Sequence, residues 1–580
     1  MKSNLLLTVI SICLFAACQP TPPPSATSSA SAGSNAAERD YFDISRDYLA
    51  KLDEYDPKQG MVQTAYYLNR WLARSQEQVA WQRDAMLDEL PTELRSIPPL
   101  QALDKREFTV EDVRYLRQAS WARSISKWVA QGPNPLELSR WLKQLEQARG
   151  EPHAYEVSLA ARLFDWTVRN IQLSPLLPFP AQTAGPVGTP NASPLQQATP
   201  GPGYTAFPWQ TLLYGQGDAW QRARIFMLLC RQQQIDTVML AFDDLRSSPR
   251  PRPWLPAVLI DDQLYLFDTR LGLPIRGPGG AGIATLAQVR QDPGILRALD
   301  VGTELRYAEA DADWAQLVAL IDASPEALSY RAKAFELEAA AGEPLFVTVA
   351  AEELAKRLKS QAQITAVDLW RIPFQAWVYR EALGARAQED PEAMRRLWYD
   401  EMILENVHPL TQGRTQYFRG NFEKTDDNPG AKGYFVEARV PDTFISQIES
   451  SPEVQASLGM VRTRENDQEW RYRLQIAKGM TIGIKQTATY WLGMIHYETG
   501  HFDTAVTWLK QRTLDASDQN PWKPGARLNL ARVYEAQGDL ELARKTLLLD
   551  DSPQRHGNLL LARYLRENME RQAKSKTPDK

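Results

Sequence analysis

The chain has 580 residues, 43% hydrophobic and 24% charged, ordinary globular usage that excludes collagen-like and wholly disordered classes. A chain of this length predicts roughly three to five domains. Acidic residues outnumber basic ones, 71 to 66, for a net charge of −5, so a basic nucleic-acid footprint is not supported, and a mean hydropathy of −0.42 excludes a multispan membrane protein.

The N-terminus reads as an address. Lys2 precedes an apolar run from Leu5 to Ala17, shorter than the roughly 20 residues that span a bilayer, so a signal peptide over 1–17 is expected. Leu14-Phe15-Ala16-Ala17-Cys18 resembles a bacterial lipobox. That resemblance implies cleavage before Cys18 and a diacylglycerol on its thiol, with Phe15 standing where Leu is usual. An ordinary cleaved signal with an incidental Cys is the other reading. Gln19 is not the Asp that resembles an inner-membrane retention signal, so outer-membrane sorting is expected, with the body facing the periplasm. Two to three acyl chains at Cys18 would anchor the chain stably, where one would not. Residues 18–40 are rich in Pro, Ser, Thr and Ala and read as a flexible tether.

Residues 41–150 repeat apolar positions at helical spacing, as in Trp71/Leu72, Val113/Leu116 and Trp121/Ile125, with Pro91, Pro98 and Pro133 as punctuation. The 17 Trp read as core anchors between paired helices, or as an aromatic ligand groove. A helix is expected over Ala154–Ile171, then a Pro-rich loop over 172–208, a length usually seen in functional covers or disorder. Asn191-Ala192-Ser193 fits the glycosylation pattern and carries no weight beside a lipobox. Next come a helix over Asp218–Gln233 and β-type runs Thr237–Phe242, Ala257–Ile260 and Leu264–Asp268, the last two joined by a turn at Asp261-Asp262.

The stretch Pro208-Trp209 through Gly215-Gln216-Gly217-Asp218-Ala219-Trp220, the helix to Cys230-Arg231, and the later Leu266-Phe267-Asp268-Thr269 together resemble the transglutaminase-like superfamily. The resemblance covers about residues 150–295 and implies a papain-type Cys-His-Asp layout. That chemistry needs a Cys at the helix N-terminus, where the dipole and an imidazole lower the thiol pKa. Ala219 stands at the Cys position. The window for the His, Arg252 to Trp254, holds none, and no His lies between 154 and 407. Asp268 matches the third member. Triad members act as a unit, so two losses imply a pseudoenzyme with no catalytic residues. Cys230, in the apolar run Ile225–Cys230, reads as a buried structural residue; Asp218 with Asp268 as an acid/base pair is the remaining chemical alternative. Cys230 is the only Cys in the body, so neither a disulfide framework nor a Cys-based zinc site is expected.

Two motifs mislead. Gly277-Pro278-Gly279-Gly280-Ala281-Gly282 matches G-x-G-x-x-G, but Pro278 sits in its turn and no βαβ unit surrounds it. His496 and His501 have the wrong spacing for a zinc-binding His-Glu-x-x-His, with Gly500 between them. No metal and no cofactor is expected.

At the C-terminus, Leu492 and Leu530, Gly500 and Gly538, and Ala505 and Ala543 each lie 38 residues apart. The Trp491-Leu492-Gly493 run, the Gly between helices and the small Ala resemble tetratricopeptide repeats, whose period is about 34. Asn520 to Pro524 absorbs the extra residues. Degenerate units are expected around Arg419–Lys432 and within Asp311–Leu383, and a capping helix over Leu559–Gln572. Helices that only pack against the island are the other reading.

The fold expected is mainly α with one α+β island. A papain/transglutaminase-like domain at 151–295 stands between helical regions at 41–150 and 296–470, the latter with degenerate repeats, and a tetratricopeptide-like solenoid fills 471–580. The function expected is that of an envelope-tethered scaffold or adaptor. It would hold a protein or peptide through its repeats and the membrane through its lipid anchor, with no nucleic-acid partner. A Cys-transferase or peptidase with an unrecognised catalytic group and a structural envelope component are the alternatives.

Overall fold

The computed structural model describes residues 40–75, 79–178, 200–243, 251–360, 366–390 and 408–576, with a few isolated residues between 361 and 397. The signal peptide, Cys18, the tether up to residue 39 and the sequon at Asn191 lie outside the described residues.

The N-terminal region is helical. Its main elements are α1 (Tyr41–Ala50), α2 (Pro57–Arg74), α3 (Val110–Ala130), α4 (Ser139–Arg149) and α5 (Glu151–Asn170). Local chemistry sets their starts. Asp56 accepts the Gln59 N–H with Pro57 in the first turn, and Thr109 and Asp112 form a capping box for α3. The Trp side chains here are largely core anchors; Trp121 and Trp166 are buried.

The expected loop after α5 begins as a strand. Gln172–Leu173 (β1) pairs parallel with Gln216–Gly217 (β2), and α6 (Pro208–Tyr214) stands between them. Next come α7 (Ala219–Arg231), β3 (Asp236–Phe242), β4 (Arg252–Ile260), β5 (Gln263–Asp268) and β6 (Leu273–Pro274). β4 starts five residues before the apolar run Ala257–Ile260, because Pro253 and Pro256 obscure the strand signal. The glycine-rich segment at 277–282 closes a small hairpin, with Arg276 bridging Ile283.

The island extends past residue 295, which corrects the domain boundary. Leu317–Ile321 (β7) pairs antiparallel with β3, and Ala366–Leu369 (β8) pairs parallel with β7. The sheet is six-stranded, ordered β6-β5-β4-β3-β7-β8. Residues 311–383 are therefore no helical repeat. They hold these two strands with α8 (Tyr330–Ala339) and α9 (Ile372–Arg386), so 296–470 is not wholly helical. A short run of five apolar residues does not separate a strand from a buried helix by periodicity alone.

The C-terminal region stacks helix pairs. α10 (Pro409–Phe418) packs on α11 (Gly430–Ala438), and α11 on the long α12 (Asp467–Glu498). Then come α13 (Phe502–Val506), continuing as a π-helical stretch Thr507–Leu514, and α14 (Lys523–Ala536), α15 (Leu540–Leu548) and α16 (Arg555–Lys576). Gly500 and Gly538 adopt φ of +74° and +83°, the left-handed conformation that ends the first helix of each pair. At Gly493 an added Cβ would lie 2.8 Å from Leu509, so only glycine permits that approach.

The inner helices of this stack pack on the island through polar contacts. Arg222 of α7 is fully buried; it donates to the Ile171 carbonyl at 2.6 and 2.9 Å, to the Thr269 carbonyl at 3.0 Å and to Gln554 Oε1 at 2.7 Å. Gln172 donates to the Pro521 carbonyl and accepts from Gly525 N. Asn529 donates to the Arg169 carbonyl, and the Arg169 guanidinium pairs with Glu498.

Arg222→Met would leave these buried oxygens without donors, so it should cost about 2–4 kcal/mol. Urea denaturation measures the loss, and limited proteolysis should cut the α14–α16 region faster than in the unaltered chain.

Candidate functional site

The positions singled out from the sequence gather at one end of the sheet. Asp218 is the N-cap of α7. Its Oδ1 accepts the Trp220 and Gln221 N–H groups at 3.0 and 2.9 Å, and Oδ2 accepts Gly203 N at 2.7 Å. Burial pushes its carboxyl up, and those three N–H donors oppose the shift. The carboxylate is occupied by backbone donors, so it is built as a cap. Ala219 follows; its carbonyl accepts a hydrogen bond from Thr269 Oγ1 at 2.8 Å. Its methyl lies in a cluster with Trp220, Leu320 and Trp370.

Trp254 and Asp268 meet through a residue the sequence reading missed. Tyr307 donates its hydroxyl to Asp268 Oδ2 at 2.6 Å and accepts from Trp254 Nε1 at 2.8 Å. Asp268 Oδ1 accepts the N–H groups of Arg270 and Leu271, both at 2.8 Å. Burial and the facing Asp268 charge push the Tyr307 hydroxyl well above its ordinary range, so it remains a protonated donor. Trp254 is the extra residue of a β-bulge: Leu240 pairs with Leu255 and Ala241 with Pro253. A bulge re-aims a side chain, and here it turns the indole toward Phe242, Trp314 and Tyr307. Strand alternation places Asp268 opposite Phe267, whose ring meets Phe226 of α7. Ala219 and the Asp268 carboxylate thus belong to different packing environments. No sequence signal marks Tyr307, which lies beyond the boundary drawn at 295.

Cys230 is fully buried, and burial alone pushes its thiol well above the ordinary range. It offers no nucleophile at neutral pH. A groove opens beside the α7 N-terminus, lined by Trp220, Pro253, Leu320, Asp368 and Trp370. His496 ends α12 and His501 precedes α13, with ring centroids 6.0 Å apart. Among the described residues, no group of three or more His, Cys, Asp and Glu is placed to hold a metal ion, and no helix is long and apolar enough to cross a membrane.

The second candidate site is the repeat surface. Tyr490 and Trp491 of α12 turn toward the island, where Trp491 closes on Gly215. Thr489 and His496 turn the other way, toward Arg439 and Trp508. The repeats thus have an inner face covered by the island, while the second helix of the first repeat leaves Lys510, Gln511 and Arg512 exposed on the outer side. Packing on the island accounts for the inner face only.

Residues 486–511 and 524–547 match the tetratricopeptide repeat family, at the two helix pairs just described. No curated protein and no solved structure matches the chain. The matched segments are tetratricopeptide repeats, which points to a protein-interaction role; the match does not reach the island or the α10–α11 pair.

Tyr307→Phe should cost about 1–3 kcal/mol, because it strands a buried carboxylate oxygen and the indole N–H together. Urea unfolding followed by Trp fluorescence checks it, and an unchanged midpoint would contradict the assigned hydrogen bonds.

Proposed function

We propose that this chain is an envelope-tethered lipoprotein that serves as a protein-binding scaffold or adaptor. The repeats hold the partner, and the island is a transglutaminase-like domain that has lost its reaction. The observation that carries the reading is the pair of tetratricopeptide repeats with exposed residues on the outer side. The loss of chemistry is supported by three facts. Ala219 supplies no nucleophile, the His position is a bulged Trp254 bonded to Tyr307, and Asp268 is 1% exposed with its acceptors in use. The anchor rests on the lipobox-like sequence ending in Cys18 and on the tether after it. Outer-membrane residence facing the periplasm follows from Gln19 in the same reading.

Two experiments test these parts separately. The full chain should transfer no acyl group from a glutamine-donor peptide to a primary amine, and Ala219→Cys alone should not create the activity. Turnover by the unaltered chain that disappears in Asp268→Ala would sink the pseudoenzyme reading. For the anchor, Cys18→Ala should move the protein from the membrane fraction to the soluble fraction; retention in the membrane would remove the lipid assignment.

A further inference from the structure

The outer face of the first repeat gathers cationic and aromatic groups around one indole. Trp508 lies on the π-helical stretch after α13, an uncommon geometry that is frequent at functional sites. The Arg512 guanidinium sits 4.2 Å from its ring centroid, and that of Arg439, just past α11, sits 4.9 Å away. His496 stacks on the same indole at 6.4 Å and 21°. Its side chain is buried (the residue is 8% exposed), and Nδ1 has no partner among the described residues.

The charge arrangement there is unbalanced. Lys432 is neutralised by Glu423 at 3.1 Å, and Lys485 by Asp442 at 2.7 Å. Arg439 donates Nε to Thr489 Oγ1 at 2.8 Å, and among the described residues neither Arg439 nor Arg512 forms an ion pair. Burial, then the neighbouring Arg512 charge, pulls the Arg439 guanidinium below its ordinary range, while Asp442 acts in the opposite sense. Two like charges are held on one indole, and among the described residues neither is in an ion pair. An incoming carboxylate would relieve that repulsion, and a guanidinium fork binds carboxylates with two parallel hydrogen bonds. The indole adds an apolar floor for the methylenes of a glutamate.

We infer that this face around Trp508, Arg439 and Arg512 docks a carboxylate-rich segment of the partner protein. The inference rests on the scaffold reading and gives the partner its chemistry. A peptide is favoured over a nucleic acid because the site lies on a matched tetratricopeptide repeat, a module that points to protein interaction.

The test is fluorescence anisotropy of the full chain with a fluorescein-labelled peptide of alternating glutamate and leucine, beside its glutamine counterpart. The glutamate peptide should bind about tenfold more tightly or better, and Arg439→Gln with Arg512→Gln should remove that preference. Arg512→Gln alone decides if the double variant fails to fold, since Arg512 is exposed; it should weaken glutamate-peptide binding several-fold. Arg544→Gln, whose guanidinium is already paired with Glu541, should leave binding unchanged. Equal binding of the two peptides, a glutamate preference that survives Arg512→Gln, or tighter binding of duplex DNA would overturn the site. Crosslinking in native membranes separates the two readings. A partner retained by the double variant overturns this site and leaves the scaffold reading standing. No partner with the unaltered chain overturns the scaffold reading, and this docking role with it.

Discussion

The architecture depends on one buried cation. Arg222 lies one turn into α7, fully enclosed, and its hydrogen-bond acceptors are carbonyl and amide oxygens. Burial pulls its guanidinium down to about 9, so it is still charged at neutral pH. A buried charge is tolerated only when its donors are matched, and Ile171, Thr269 and Gln554 do the matching. Those residues belong to the segment before β1, the turn after β5 and the start of the last helix. One side chain thus ties the two halves of the island to the end of the repeat stack. Arg414 also reaches across the seam. It is fully buried, donates to the Leu212 carbonyl and lies 3.5 Å from the Trp491 ring centroid.

This seam gives the repeats two unequal faces. The inner helices contribute Tyr490, Gly525, Asn529 and Gln554 to contacts with Arg169, Gln172 and Arg222, so that face is committed within the chain. Any partner must then meet the outer helices or their edges. Stacked repeats usually offer a long groove to others. Here the island fills part of that role and fixes the orientation of what remains. The cost of separating the two is high, because each seam group is buried and polar. Separation must either hydrate all of them or strand some.

The island sets one helix, α7, before a mostly antiparallel sheet, and its buried polar side chains do structural work. Trp254, Tyr307 and Asp268 form a chain of hydrogen bonds that closes one end of the sheet. Asp268 also stops the turn after β5 through two backbone N–H groups, and Thr269 ties that turn to Ala219.

Much of this was legible in the residues alone. Asp218 before Ala219-Trp220-Gln221 spells a capping box, and the helix starts there. Gly500 and Gly538 mark helix ends because only glycine takes that backbone conformation cheaply. The 38-residue spacing of Leu, Gly and Ala announced a repeat, and the helix pairs stand where it put them. These are local signals, carried by a few adjacent residues. What escaped was non-local. β7 and β8 joined the sheet across tens of residues of helix, and their short apolar runs carry no period that separates strand from helix. Tyr307 found Asp268 from 39 residues away, and Gln554 found Arg222 from 332. Caps, turns and repeat spacing were written in the sequence. Tertiary structure alone settled which face of the repeats is buried, which polar groups satisfy one another, and that two arginines share one indole. Those outcomes depend on which distant segments reach the same enclosed space, and neighbours in the chain do not encode that.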